Sequence, residues 1–201
     1  MPAHAPTGKL RVLGIDPGTR HLGWGVLEQE GTRITHIAHG VIDTDTDREL
    51  AHRLIEIDDA LAVVIEEHRP TTSAVEALFF AKDPQAAAKL GHARGVVLLR
   101  LARAGLPIHE LAPSRVKRAV VGAGLASKEQ VAQVMTTILR LDKPPRLDAS
   151  DALANAFAHL TMARFASAVD AATRARPATK RPAQDSPLAA LIRAHAARKP
   201  R

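Results

Sequence analysis

Apolar residues follow two different periods along the chain, and the change between them divides it into elements. Residues 10–16 (LRVLGID) form a short aliphatic run that stops at an acid and the turn PGT, the pattern of a buried strand ending in a loop. LGWGVLEQ and TRITHIAHGVID are two further strand-like runs separated by Glu30-Gly31, as in an antiparallel meander. Over residues 47–68 the period becomes helical: Leu50, Leu54, Ile57, Leu61, Val64 and Ile65 recur on one face, with Thr46 as an expected N-cap and Pro70 as a stop. TTSAVEALFF reads as a fourth strand, and Asp83-Pro84 opens a helix that runs to about Ala104. PIHEL is a fifth short strand. Helices then follow over SRVKRAVVG, over SKEQVAQVMTTILRL and, after the turn DKPP, from about Asp148 to Ala168. Such mixed succession predicts an α/β domain with one central sheet.

Composition adds boundaries to this picture. The 201 residues suit one domain plus an appendage, and the absence of Cys removes disulfides, thiol nucleophiles and thiolate metal sites. No stretch approaches the roughly 20 apolar residues that span a bilayer, and the first ten lack a signal-type apolar core, so the chain reads as soluble and cytoplasmic. Beyond Val169 the sequence turns to Ala, Arg, Pro and Lys. Residues 1–8 are expected to be a flexible end, residues 9–169 the folded domain, and residues 170–201 a disordered basic extension.

The net charge of +7 equals that of residues 171–201, which hold eight Lys or Arg against the single Asp185, so residues 1–170 sum to zero. The body is neutral but uneven. Residues 1–76 carry seven basic and 13 acidic groups, whereas residues 77–146 carry 12 and four.

Four acids stand out by placement. Asp16 ends the first strand, Glu76 lies in an otherwise apolar strand, and Asp148 and Asp151 are three apart at the start of the last helix, on one face. Asp16 serves equally as a turn residue, and Asp148 and Asp151 serve equally as helix N-terminal acids that oppose the macrodipole. Glu76 is harder to explain away, since a lone carboxylate in a strand is costly unless paired or bound to metal. Strand ends and the start of a packed helix can converge, and carboxylates gathered there repel unless divalent cations lie between them. Mg²⁺ takes oxygen ligands, so such a cluster suits phosphoryl transfer.

GIDPGTRHLGWG, AVEALFFAKDPQAAAKLGHARG, PSRVKRAVVGAGLASKEQV and LDASDALANAFAH, in this order and spacing over about residues 9–166, resemble the RuvC family of Holliday-junction resolvases. The resemblance implies an RNase H-like fold with a mixed sheet of about five strands flanked by helices. It also implies a homodimer that cuts four-way DNA junctions by paired, symmetric, metal-dependent nicks, leaving 5′-phosphate and 3′-hydroxyl ends, in recombination and repair. By the same resemblance Asp16, Glu76, Asp148 and Asp151 are catalytic carboxylates holding two Mg²⁺, with Mn²⁺ as a substitute. Phe79 is then the aromatic that inserts at the junction, and Lys117 and Lys128 face the scissile backbone. Cooperation with the RuvA and RuvB branch-migration proteins is implied as well. KDPQ and His92 depart from the usual Lys-Asn and Gln of the family.

The residues themselves bear on these roles. Phe79 and Phe80 follow a strand, and either can be core; an aromatic on a loop can instead stack on a base. Lys117 and Lys128 lie in the basic part of the body, where a polyanion must be received. Ala87, Gly91 and Gly95 repeat every four residues, a small-residue face open to packing within the monomer or to a second copy. His159, two turns past Asp151, is within reach of the same end of the helix. GIDPGT also resembles the first phosphate loop of the actin and sugar-kinase group, but 201 residues are too few for its two lobes and no second phosphate motif is present.

Overall fold

The structure, a computed structural model, describes residues 9–77, 84–122, 124 and 126–175. The five expected strands form one sheet: β1 (Leu10–Asp16), β2 (His21–Glu30), β3 (Arg33–Asp43), β4 (Thr72–Glu76) and β5 (Ile108–Leu111), in the order β3-β2-β1-β4-β5. β1, β2 and β3 pair antiparallel as the meander predicts, while β4 and β5 join parallel after crossover helices. Gly31, with φ of 59°, makes the tight β2–β3 turn.

Alternation along the strands splits the core into two layers. Leu13 and Ile15 of β1 and Val75 of β4 pack with Leu22, Val26 and the helices α1 (Leu50–His68) and α2 (Pro84–Arg103). Val12 and Ala74 face the other way, onto α3 (Pro113–Val121), α4 (Lys128–Leu139) and α5 (Leu147–Ala175). Asp16 and Glu76 share the parity of Val12 and Ala74, so both strands end with a carboxyl turned to the α5 layer.

Three element boundaries differ from expectation. Helix α1 begins three residues after the expected start, with Glu49 at the cap, because Asp45 accepts from the backbone N–H of both Asp47 and Arg48 and uses Thr46 in that turn. It stops at Arg69, in the left-handed conformation, just before Pro70. β4 ends at Glu76 rather than running on to the Phe pair. Helix α5 continues seven residues past Ala168, since the Ala-rich sequence that is poor for building a core is good for extending a helix. Helix α4 starts as a full capping box, Ser127 accepting from the Gln130 N–H while the Gln130 side chain accepts from the Ser127 N–H.

The chain divides into two compact units, residues 1–164 and 165–201; of the second, the helical backbone to Ala175 is described. The flexible end expected at residues 1–8 and nearly all of the expected extension lie outside the described residues.

Candidate active site

Three glycines let α5 lie against the sheet. A Cβ on Gly14 would stand 2.0 Å from the Ala152 carbonyl oxygen, and one on Gly23 would stand 1.9 Å from that of Asp148; Gly25 faces the Leu153 side chain at 2.6 Å. Any side chain at the first two positions pushes the helix backbone away. Gly23 is also the cross-strand partner of Asp16, so the contact that seats the start of α5 is one residue pair from the end of β1. Asn155, 2% exposed, fixes the depth of the helix by donating its Nδ2–H to the Ile15 carbonyl at 3.0 Å. Asp151, one turn before Asn155, is thereby held over the ends of β1 and β4.

On the sheet side, β1 and β4 run in register up to Ile15 and Val75, which leaves Asp16 and Glu76 side by side. The two carboxyls share a hydrogen bond, and Asp16 is pushed up to about 8, first by burial, then by the charge and hydrogen bond of Glu76 and the charge of Asp151; Lys128 opposes the rise. A pair that keeps a proton near neutral pH is paying for proximity that folding alone does not require.

Lys128, the first residue of α4, reaches in from the opposite side and donates to Asp151 Oδ2 at 2.5 Å. Burial works against its charge, but the Asp151 hydrogen bond and the charges of Asp151, Asp16 and Glu76 leave its ammonium harder to deprotonate than usual. Lys117 of α3 lines the same small hollow of about 50 Å³, together with Glu76, Lys128, Asp151 and Asn155.

Behind the strand ends, Arg94 of α2 is 6% exposed and donates through Nη1 to the Glu76 carbonyl at 2.5 Å, while its Nη2 pairs with Glu110 Oε2 at 2.6 Å. It clamps the residue that must aim its carboxylate at Asp16. Sequence reasoning misses both Arg94 and Asn155, although they lie inside the LGHARG and LDASDALANAFAH segments. A polar Arg and a polar Asn in largely apolar helices are the signal that could find them.

The structure therefore brings Asp16, Glu76, Asp151, Lys117 and Lys128 to one place. Asp148, one turn before Asp151, has its carbonyl on Gly23, and its charge helps to raise Arg146. His159 lies against β5, its ring 4.2 Å from that of His109, and burial followed by the His109 charge lowers it to about 4. Phe79 lies outside the described residues, as does Phe80.

Among the described residues no group of three or more His, Cys, Asp or Glu is spaced to hold an ion outright. The converging carboxyls are two strand ends joined by a hydrogen bond and one helix acid engaged by an ammonium. The donor set nevertheless fits a hard divalent cation: it is all oxygen, and its proton and its ammonium both supply positive charge that a cation can replace.

The family model described as crossover junction endodeoxyribonuclease RuvC matches residues 12–159. The chain is 64% identical over 173 residues to a crossover junction endodeoxyribonuclease RuvC of Sorangium cellulosum, covering 86% of this chain and 97% of that protein. It is 49% identical over 154 residues to the namesake from Geobacter sulfurreducens, covering 77% and 94%. Among solved structures it is similar to Thermus thermophilus RuvC in complex with a Holliday junction substrate, with a TM-score of 0.73, 36% identity and coverage of 78% of this chain and 96% of that one. The yeast mitochondrial Holliday junction resolvase Ydc2 shares the fold, with a TM-score of 0.56 at 15% identity, covering 82% of this chain and 81% of that one.

Proposed function

The chain belongs to the RuvC family of crossover junction endodeoxyribonucleases, and on that premise we propose that it resolves four-way DNA junctions by paired, metal-dependent nicks during recombination and repair. The observation that carries this reading is the Asp16–Glu76 pair with Asp151 above it: three elements distant in sequence deliver acids to one point, against their mutual repulsion.

Divalent cations held by Asp16, Glu76, Asp151 and Asp148 would activate the attacking water and stabilise the leaving 3′ oxygen, with two Mg²⁺ per site proposed and Mn²⁺ as a substitute. The protein's own residues supply the rest. The Asp16–Glu76 pair gives up its shared proton to become a full set of oxygen donors. Lys128, exchanged from Asp151, and Lys117 offer N–H groups to the phosphate oxygens as negative charge builds on them. Arg94 and Asn155 keep the strand ends and the helix in register while this charge redistributes. Products carry 5′-phosphate and 3′-hydroxyl ends. Phe79, following the strand that carries Glu76, is assigned to stacking on an unpaired base at the junction centre.

Two nicks need two sites, and α2 supplies a surface for a homodimer. A Cβ on Gly91 or Gly95 meets nothing within 4 Å among the described residues, which argues against packing within the monomer as the purpose of this small-residue face. Branch-migration proteins of the RuvA and RuvB type are the proposed partners, and the cytoplasm the proposed location. Among the described residues no helix is long and apolar enough to cross a membrane.

The test is substitution of the acids. Asp16→Asn, Glu76→Gln and Asp151→Asn should each lower cutting by at least about 10²-fold while junction binding holds or tightens, because each removes a metal ligand and a repulsion toward phosphate. Cleavage and mobility-shift assays on the same preparations decide it, and full activity in any one variant removes that residue from the site.

A further inference from the structure

A second hollow, of about 1150 Å³, lies between β3 and the segment running from the end of α4 into α5. Its charged lining is one-sided: Arg33, Arg140, Lys143 and Arg146 against Asp142, with the imidazoles of His36 and His39 on the β3 wall. Arg146 is already engaged, donating to both oxygens of Asp43 at 2.5 and 2.8 Å. Arg33, Arg140 and Lys143 are exposed and make no ion pair among the described residues. His36 Nε2 and His39 Nδ1 lie 2.8 Å apart, and burial lowers both rings, so near neutral pH they present hydrogen-bonding groups rather than further charge.

Free like charges around a hollow gain nothing for the isolated fold; they gain when an anion fills it. The β3 wall runs from Arg33 to Val41, nine residues or about 27 Å at roughly 3.3 Å per residue. That length matches roughly 8 base pairs of duplex, measured along its axis at about 3.4 Å each. The cleft also starts at the right place. Arg146 and Ala149 line it and flank Asp148, so it leads directly away from the acids.

We propose that this cleft seats the sugar–phosphate backbone of one duplex arm of the junction, beyond the strand that is cut, with Arg33, Arg140 and Lys143 as its phosphate contacts. The inference rests on the nuclease reading above and extends it from the cut site to the arm.

The experiment compares wild type with Arg33→Gln/Arg140→Asn/Lys143→Gln, where Asn is chosen because Arg140 has φ of 53°. Binding is titrated against salt in chelator, using four-way junctions whose arms are shorter or longer than the roughly 8 base pairs that the cleft spans. On long arms the variant should lose roughly 0.9 from the log-log salt slope per contact, up to about 2.7, while on short arms the two proteins coincide. A single Lys143→Gln, in an exposed loop, should lose roughly 0.9 and serves if the triple variant melts early. Replacing Arg33 and Arg140 by Lys should keep the wild-type slope. Equal long-arm slopes for wild type and both Gln-containing variants would overturn the proposal and leave the charge to an acidic protein partner. Failure of the nuclease reading is separate: it shows as a wild-type protein that leaves every junction intact, whatever the slopes.

Discussion

Asp16 is the residue on which charge, fold and proposed chemistry meet. An unfolded Asp titrates near 3.8 and this one near 8 in the folded chain, raised by burial and then by Glu76 and Asp151. Between those values the folded chain holds a proton that the unfolded chain has released, so its contribution to stability is full below about 3.8 and is lost as pH rises toward 8. In chelator, the melting temperature of wild type should therefore fall relative to Asp16→Asn across that window, with the two converging in acid. A pH-independent difference between them would contradict the shared proton. Adding Mg²⁺ should reverse the wild-type loss and leave the variant unmoved. The acids themselves are legible in the sequence because Glu76 breaks an apolar strand and Asp148 and Asp151 share a helix face. Arg94 and Asn155 are not, because their meaning depends on backbone carbonyls, Glu76 and Ile15, that lie 18 and 140 residues away. The close seat of α5 on Gly23, at the Asp148 carbonyl, is likewise set by residues far apart in the sequence.

At the scale of elements, the site depends on how closely one helix approaches two strands. Gly23→Ala places a methyl 1.9 Å from the Asp148 carbonyl oxygen, a contact with backbone that no rotamer can relieve. The start of α5 must move outward, at a cost of about 1–3 kcal/mol for overpacking, and it carries Asp148 and Asp151 with it. Thermal melting should show the loss of stability, and cutting should fall further than binding. Strand number, strand order in sequence and all five helices can be read from the two hydrophobic periods. The boundaries that cannot are the start of α1, fixed locally by hydrogen bonds to Asp45, and the helix end at Ala175, where propensity rather than burial decides.

Along the chain, charge is segregated, with acids at the strand ends, Arg33, Arg140 and Lys143 without ion pairs among the described residues along the β3 cleft, and most of the net charge in the sequence beyond α5. Residues 176–201 hold seven basic groups and one acidic, six of the seven net charges. Their removal, leaving α5 complete, should preserve junction cutting at saturating protein. It should lower affinity for plain duplex more than for junctions and make the salt slope shallower by about 0.9 for each phosphate no longer neutralised. Superimposable slopes for the two forms would mean that the extension does not touch DNA. Junction-selective, metal-dependent cutting is tested most directly by one comparison. The purified protein is incubated with a synthetic four-way junction and with a linear duplex of the same sequence, each with Mg²⁺ and with chelator. Paired nicks at symmetric positions in the junction, with Mg²⁺ only and with the duplex left whole, are the predicted result. An uncut junction, equal cutting of both DNAs, or cutting that survives the chelator would contradict it.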